Sequence, residues 1–151
     1  MKYNIKNELS GFDFSQAHIQ DIEMTTDRFH LVLDQVMILP ENSCNRDIRT
    51  MRTNGLLFTI ENFAFQSLVE EGFTLYNANG QLTKTVPDRV VPAEEYAQVL
   101  EALVDGTVYE ITKEENKYTF VFDGNDERTY MLTAEGTADR EEWDRFLNCS
   151  E

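Results

Sequence analysis

Apolar and polar positions alternate along much of the chain, and period two marks a strand with one buried face. Residues 17–24 read as a strand. Thr25-Thr26-Asp27 is a turn. Phe29, Leu31 and Leu33 then alternate with Arg28, His30 and Val32. The apolar parity shifts afterwards to Val36 and Ile38, which a β-bulge near Asp34-Gln35 or burial on both faces would explain. Pro40 ends the strand, because it has no N–H for the ladder.

A long polar connection follows over residues 40–55, and a loop of that length is a place for function or mobility. Leu56, Phe58 and Ile60 resume the alternation, and Phe63 and Phe65 carry it on in the opposite parity, as in a long or kinked strand over 56–69. Residues 73–76 and 81–84 flank the turn Asn77-Ala78-Asn79-Gly80. Three further strands, 107–112, 117–122 and 129–134, form a meander joined by polar turns. Tyr118, Phe120 and Phe122 would share one face with Tyr130 and Leu132.

The helical period occurs twice. Pro92 suits a first helical position, and Tyr96, Val99, Leu100 and Leu103 form an i, i+3, i+4, i+7 stripe that ends before Gly106. Gly136-Thr137 breaks the last strand. Asp139 and Glu142 then have capping-box spacing, and Trp143, Phe146 and Leu147 form a short stripe. The expected fold is therefore a single α+β domain over residues 1–151. It has a mainly antiparallel, curved β-sheet or partly open barrel, with two helices (about 92–104 and 138–147) packed on one side.

The charge narrows the function. There are 28 acidic and 13 basic residues, a formal net charge of −15. Residues 101–151 hold 14 acids and 5 bases, more than half of the excess. A nucleic-acid binder needs the opposite balance, and an anionic membrane would repel this chain. No apolar stretch approaches the ~20 residues of a membrane span. The N-terminus has no signal-peptide h-region. Cytoplasmic location is the expectation. In size and acidity the chain is similar to small bacterial cytosolic proteins, immunity proteins that neutralise toxins among them. That is a likeness of composition and carries over no residue.

Three chemistries have candidate residues. Arg46, Arg49 and Arg52 are spaced by three, so a helical turn would gather them as an anion or carboxylate site; the alternative is pairing with carboxylates of the same chain. Cys44 would be a nucleophile if His18 or His30 lay beside it and Asn42 or Asn45 donated to an oxyanion. His18 and His30, on adjacent strands, would form a pH-sensitive contact if they paired. The Asp123–Glu127 segment is oxygen-rich but lacks EF-hand spacing, and a hairpin turn accounts for it better. No metal or cofactor is expected, since two His and two Cys are widely separated. The acids Glu101, Asp105, Glu110, Glu114, Glu115, Asp123, Asp126 and Glu127 are candidates for docking a basic protein partner. A non-enzymatic interaction protein is the leading expectation. A small-molecule binding module with a pocket in the curved sheet is second, and a cysteine-dependent enzyme third.

Overall fold

The computed structural model describes residues 1–149. Sixteen strands and one α-helix follow one another. They are β1 (Tyr3–Lys6), β2 (Phe12–Asp13), β3 (His18–Met24), β4 (Phe29–Asp34), β5 (Val36–Ile38), β6 (Met51–Thr53), β7 (Leu56–Glu61) and β8 (Ala64–Glu70). Next come β9 (Phe73–Tyr76), β10 (Leu82–Val86), β11 (Arg89–Val90), α1 (Tyr96–Leu103), β12 (Thr107–Glu114), β13 (Lys117–Asp123), β14 (Thr129–Glu135), β15 (Ala138–Trp143) and β16 (Leu147–Asn148).

Ten strands make one open sheet in the order β1-β15-β7-β4-β3-β12-β13-β14-β8-β11. Strands β16-β6-β5-β2 form a small second sheet, and β9-β10 stand alone as a hairpin. The described pairings are antiparallel. The large sheet curls over until its two halves face each other. Phe120 of β13 lies 4.9 Å from Phe29 of β4 and 5.7 Å from Phe58 of β7, ring centre to ring centre. The expected meander is present, with Phe120 opposite Leu132 and Phe122 opposite Tyr130. All five of its inward aromatic and leucine side chains are buried.

The parity shift after Leu33 has a specific cause. Gln35 adopts a left-handed backbone (φ 60°), and the chain passes from the large sheet into the small one. The side chains of Asn54 and Asp34 fasten this crossing, accepting the N–H groups of Gln35 and Gly55 at 2.9 and 2.8 Å. Gly55 itself needs φ +68°, a conformation that favours glycine.

The first expected helix is α1, which buries Val99 and Leu103. It is shorter than 92–104, because residues 93–95 form a turn of 3-10 helix instead. Neither start has a side-chain cap. The second expected helix, 138–147, is not formed. Residues 138–143 are β15, held between β1 and β7 along both edges. Asp139, Glu141 and Trp143 all point inward and are fully buried. Pairing on both edges therefore overrides the capping-box spacing, because it satisfies the strand's backbone on both sides. No described helix is long and apolar enough to cross a membrane.

Candidate functional site

Two regions combine unusual chemistry with an opening to solvent. The first starts from β15. Its inner face carries Asp139 and Glu141 in a row otherwise occupied by apolar side chains. Ile5 on β1 and Phe58 on β7 are the cross-strand neighbours of Glu141. Asp139 has partners on one oxygen. The Tyr118 hydroxyl donates to its Oδ1 at 2.8 Å, and the Lys113 ammonium lies 3.7 Å from the same oxygen. Asn7 clamps the group, accepting from Lys113 Nζ and from the Asp139 N–H at 3.2 Å each. Asp139 Oδ2, both Glu141 oxygens and Trp143 Nε1 are buried without a hydrogen-bond partner.

Burial first, and then the neighbouring Asp139 carboxyl, push the Glu141 carboxyl up to about 10. A value near 10 corresponds to a protonated, uncharged carboxyl at pH 7, which suits a side chain with no hydrogen-bond partner in the core. Burial and the bond to Asp139 likewise hold the Tyr118 hydroxyl far above its ordinary value.

A cleft of about 630 Å³ lies beside this cluster. One wall is the N-terminal segment from Asn7 to Ser15, and the other is residues 109–113 of β12. Phe12 and Phe14 belong to its lining. Phe12 also packs on Trp143, and Phe14 on Phe58, at 5.5 and 5.8 Å. Those are the residues flanking Glu141 on the inner face. The same two rings therefore line the cleft and pack over the carboxyl row.

The second region is the hairpin β9-β10. Its residues are exposed except Val86, which is half-buried. Phe73 is 38% exposed, Leu75 47%, Tyr76 62% and Leu82 58%. Its two legs close tightly at Gly72, where a Cβ would strike the backbone of Val86–Asp88. The base is anchored by ion pairs. Glu70 accepts from Arg89 at 2.8 Å and from Arg128 at 2.7 Å, and Arg128 stacks on the Phe73 ring at 5.0 Å. A cleft of about 320 Å³ opens at this base, with Glu71, Asp126 and Glu127 in its lining.

No protein-family model, curated protein or solved structure matches the chain. The geometry alone therefore places the residues singled out in the sequence.

Arg46, Arg49 and Arg52 do not share a helical turn. Asn42, Asn45 and Asp47 each accept the backbone N–H two residues on, at 2.9, 2.9 and 3.1 Å. These side-chain turns compete with helix, and the segment runs into β6. Arg49 pairs with Asp47, which raises the guanidinium and lowers the carboxyl from their ordinary values. Arg46 lies on a cleft of about 550 Å³ beside Cys44. Arg52 sits in β6 opposite Leu147 and Met37.

Cys44 is half-buried, and the cleft beside it has no histidine in its lining. The two amides expected near an oxyanion are committed elsewhere. Asn42 Nδ2 donates to the Gly11 carbonyl at 3.3 Å. Asn45 Nδ2 donates to the Ile38, Leu39 and Arg49 carbonyls at 3.0, 3.2 and 3.1 Å. His18 and His30 do not meet: His18 lies opposite Asp34 on β4, and His30 opposite Glu23 on β3. His18 Nε2 contacts Asp105 at 3.0 Å instead. Among the described residues, no three His, Cys, Asp or Glu side chains gather as a metal site.

The eight acids divide by position. Glu101, Asp105, Asp123, Asp126 and Glu127 gather where the end of α1 meets the β13-β14 turn. Asn125 joins them there, with its backbone N–H on the Ala102 carbonyl and its amide on those of Glu101 and Val104. Glu114 and Glu115 lie at the other end of the β12-β13 ladder, ~23 Å away at strand rise. Glu110 lies between, in the lining of the large cleft.

Asp139, whose spacing to Glu142 suggests a helix cap, forms this cluster with Glu141, Lys113 and Asn7, none of them a candidate site residue in the sequence. One signal for the first two was present. Asp139, Glu141 and Trp143 share a parity directly after the Gly136 break. Two carboxyls in the apolar register masked it.

Proposed function

We propose that the protein is a non-enzymatic interaction module that docks a basic protein partner through the hairpin β9-β10 and the acidic end beneath it. The exposed apolar hairpin is the observation that carries this reading. A two-stranded ribbon is marginal in water without a covering layer. Leaving Leu75, Tyr76 and Leu82 in solvent on such a ribbon forgoes on the order of 1 kcal/mol for each. A partner that covers them recovers that energy. Glu71, Asp126 and Glu127 around the hairpin base, on a protein of net charge −15, favour a partner surface bearing Lys or Arg.

The test is capture from a native lysate at low and at high salt, with the wild-type chain and two variants. One variant carries Leu75→Ser with Tyr76→Ser, the other Asp126→Lys with Glu127→Lys. The expected result is one basic protein at stoichiometric level, lost at high salt and lost by both variants while their circular dichroism is unchanged. Equal recovery by wild type and variants, or no basic protein at either salt, refutes the proposal.

A further inference from the structure

The large cleft owes its existence to a strand that lacks a neighbour. β12 pairs with β13 along its whole length, yet its other edge meets β3 only at Thr107. Two backbone bonds at Val108, from the Gln16 N–H and to the Ala17 carbonyl, close that contact. At Tyr109 a bulge shifts the register, and the chain before β3 turns away. From Tyr109 to Lys113 no described backbone hydrogen bond crosses to the segment Asn7–Ser15.

The register fixes which groups are left open. Glu114 pairs with Lys117 around a two-residue turn, so that pair is hydrogen-bonded. Bonded and non-bonded pairs alternate in an antiparallel ladder. Thr112 and Glu110 therefore bond to β13, while Ile111 and Lys113 turn their N–H and C=O groups toward the cleft. That is a two-residue template for strand addition.

The walls specify what kind of strand fits. Leu9, Leu39 and the exposed Tyr109 offer an apolar surface over the buried rings of Phe12 and Phe14, and Asp13 and Glu110 supply carboxylates. The cation in the lining, Lys113, is already engaged by Asn7 and faces Asp139. We propose that this cleft binds an extended segment of a partner protein in which apolar residues alternate with Lys or Arg. Its main chain pairs with Ile111 and Lys113, its apolar side chains lie on Leu9, Leu39 and Tyr109, and its cations lie against Asp13 and Glu110. This site is separate from the hairpin and stands or falls independently of it.

Amide hydrogen exchange on the full chain tests the proposal, with the capped peptide Lys-Val-Lys-Val-Lys-Val as probe and its Glu-for-Lys counterpart as control. In the free protein the Ile111 and Lys113 amides exchange much faster than those of Glu110 and Thr112. The basic peptide at about 1 mM slows both by ~10-fold or more, and the acidic peptide does not. Asp13→Lys with Glu110→Lys abolishes the slowing. Ile111→Pro abolishes it too: it removes a cleft-facing N–H, which an edge strand tolerates, along with a side chain packed at the margin of the core. If the proline variant fails to fold, the charge-reversal variant decides. Four results overturn the proposal: protection of both amides in the free chain, no slowing by the basic peptide, equal slowing by the acidic one, or protection that rises with protein concentration alone, which would place a second copy on the edge.

Discussion

Replacing Glu141 by Gln tests the buried carboxyl row most directly. The side chain is fully buried, and its carboxyl is held at about 10 against an ordinary 4.5. The native state therefore keeps a proton that the unfolded chain releases above pH 4.5. Between 4.5 and about 10 the unfolded chain binds fewer protons, so stability falls as pH rises, by about 1.4 kcal/mol per pH unit. The loss is about 3 kcal/mol at pH 7 and about 5 kcal/mol at pH 8. Against a typical total of 5–15 kcal/mol that is a large fraction. The amide of Glu141→Gln has no proton to lose and nearly the shape of the protonated acid. Its NH2 adds one buried donor to the groups already unpaired there, at about 1–3 kcal/mol. The variant is thus weaker than wild type at pH 5 and stronger at pH 8, and the two stability curves cross between. Urea unfolding at pH 5, 6, 7 and 8 measures this. Groups that titrate in both proteins cancel in the difference. Parallel curves across that range would refute the assignment of a neutral acid in the core.

Two further outcomes follow from the same contacts. Tyr118→Phe removes the hydroxyl donor to buried Asp139 Oδ1, and urea unfolding is expected to show a loss of about 1–3 kcal/mol; a midpoint unchanged from wild type would count against that bond. Asn45→Ala strips three backbone carbonyls of the amide that gathers residues 38–49, so limited proteolysis is expected to cut first within 40–50, well before the hairpins of the large sheet. A digestion pattern matching wild type would show that the loop holds its shape without Asn45.

Much of the fold is legible where one side of an element is apolar and local signals agree. The strands β3, β4, β12, β13 and β14 follow from alternation, and α1 from its four-residue stripe. The reading fails at β15 for a physical reason. Its buried face includes Asp139 and Glu141, so the strand lacks the apolar alternation that reports a buried face. A capping-box spacing then suggested the helix that pairing with β1 and β7 forbids. The arginine spacing failed similarly, because Asn45 and Asp47 draw the backbone into turns that a count of three residues does not show.

The candidate sites divide along the same line. The acids Asp126 and Glu127, and the apolar residues of 73–76, are visible in the sequence as chemistry without an address. Only the tertiary structure sets them side by side at the hairpin base. The cleft is more dependent still. No residue of 109–113 announces an open edge; the opening exists because β3 leaves β12 after a single pair while Phe12 and Phe14 turn in to roof the core. Sequence alone determined the strand-rich class, one helix within 92–104 and the acidic balance, since each is set by neighbours within a few residues. Which edges remain open, which carboxyls are buried and which charges share an end were decided by contacts between segments far apart in the chain, such as Asn7 with Asp139, separated by 132 positions, and those contacts have no local signature.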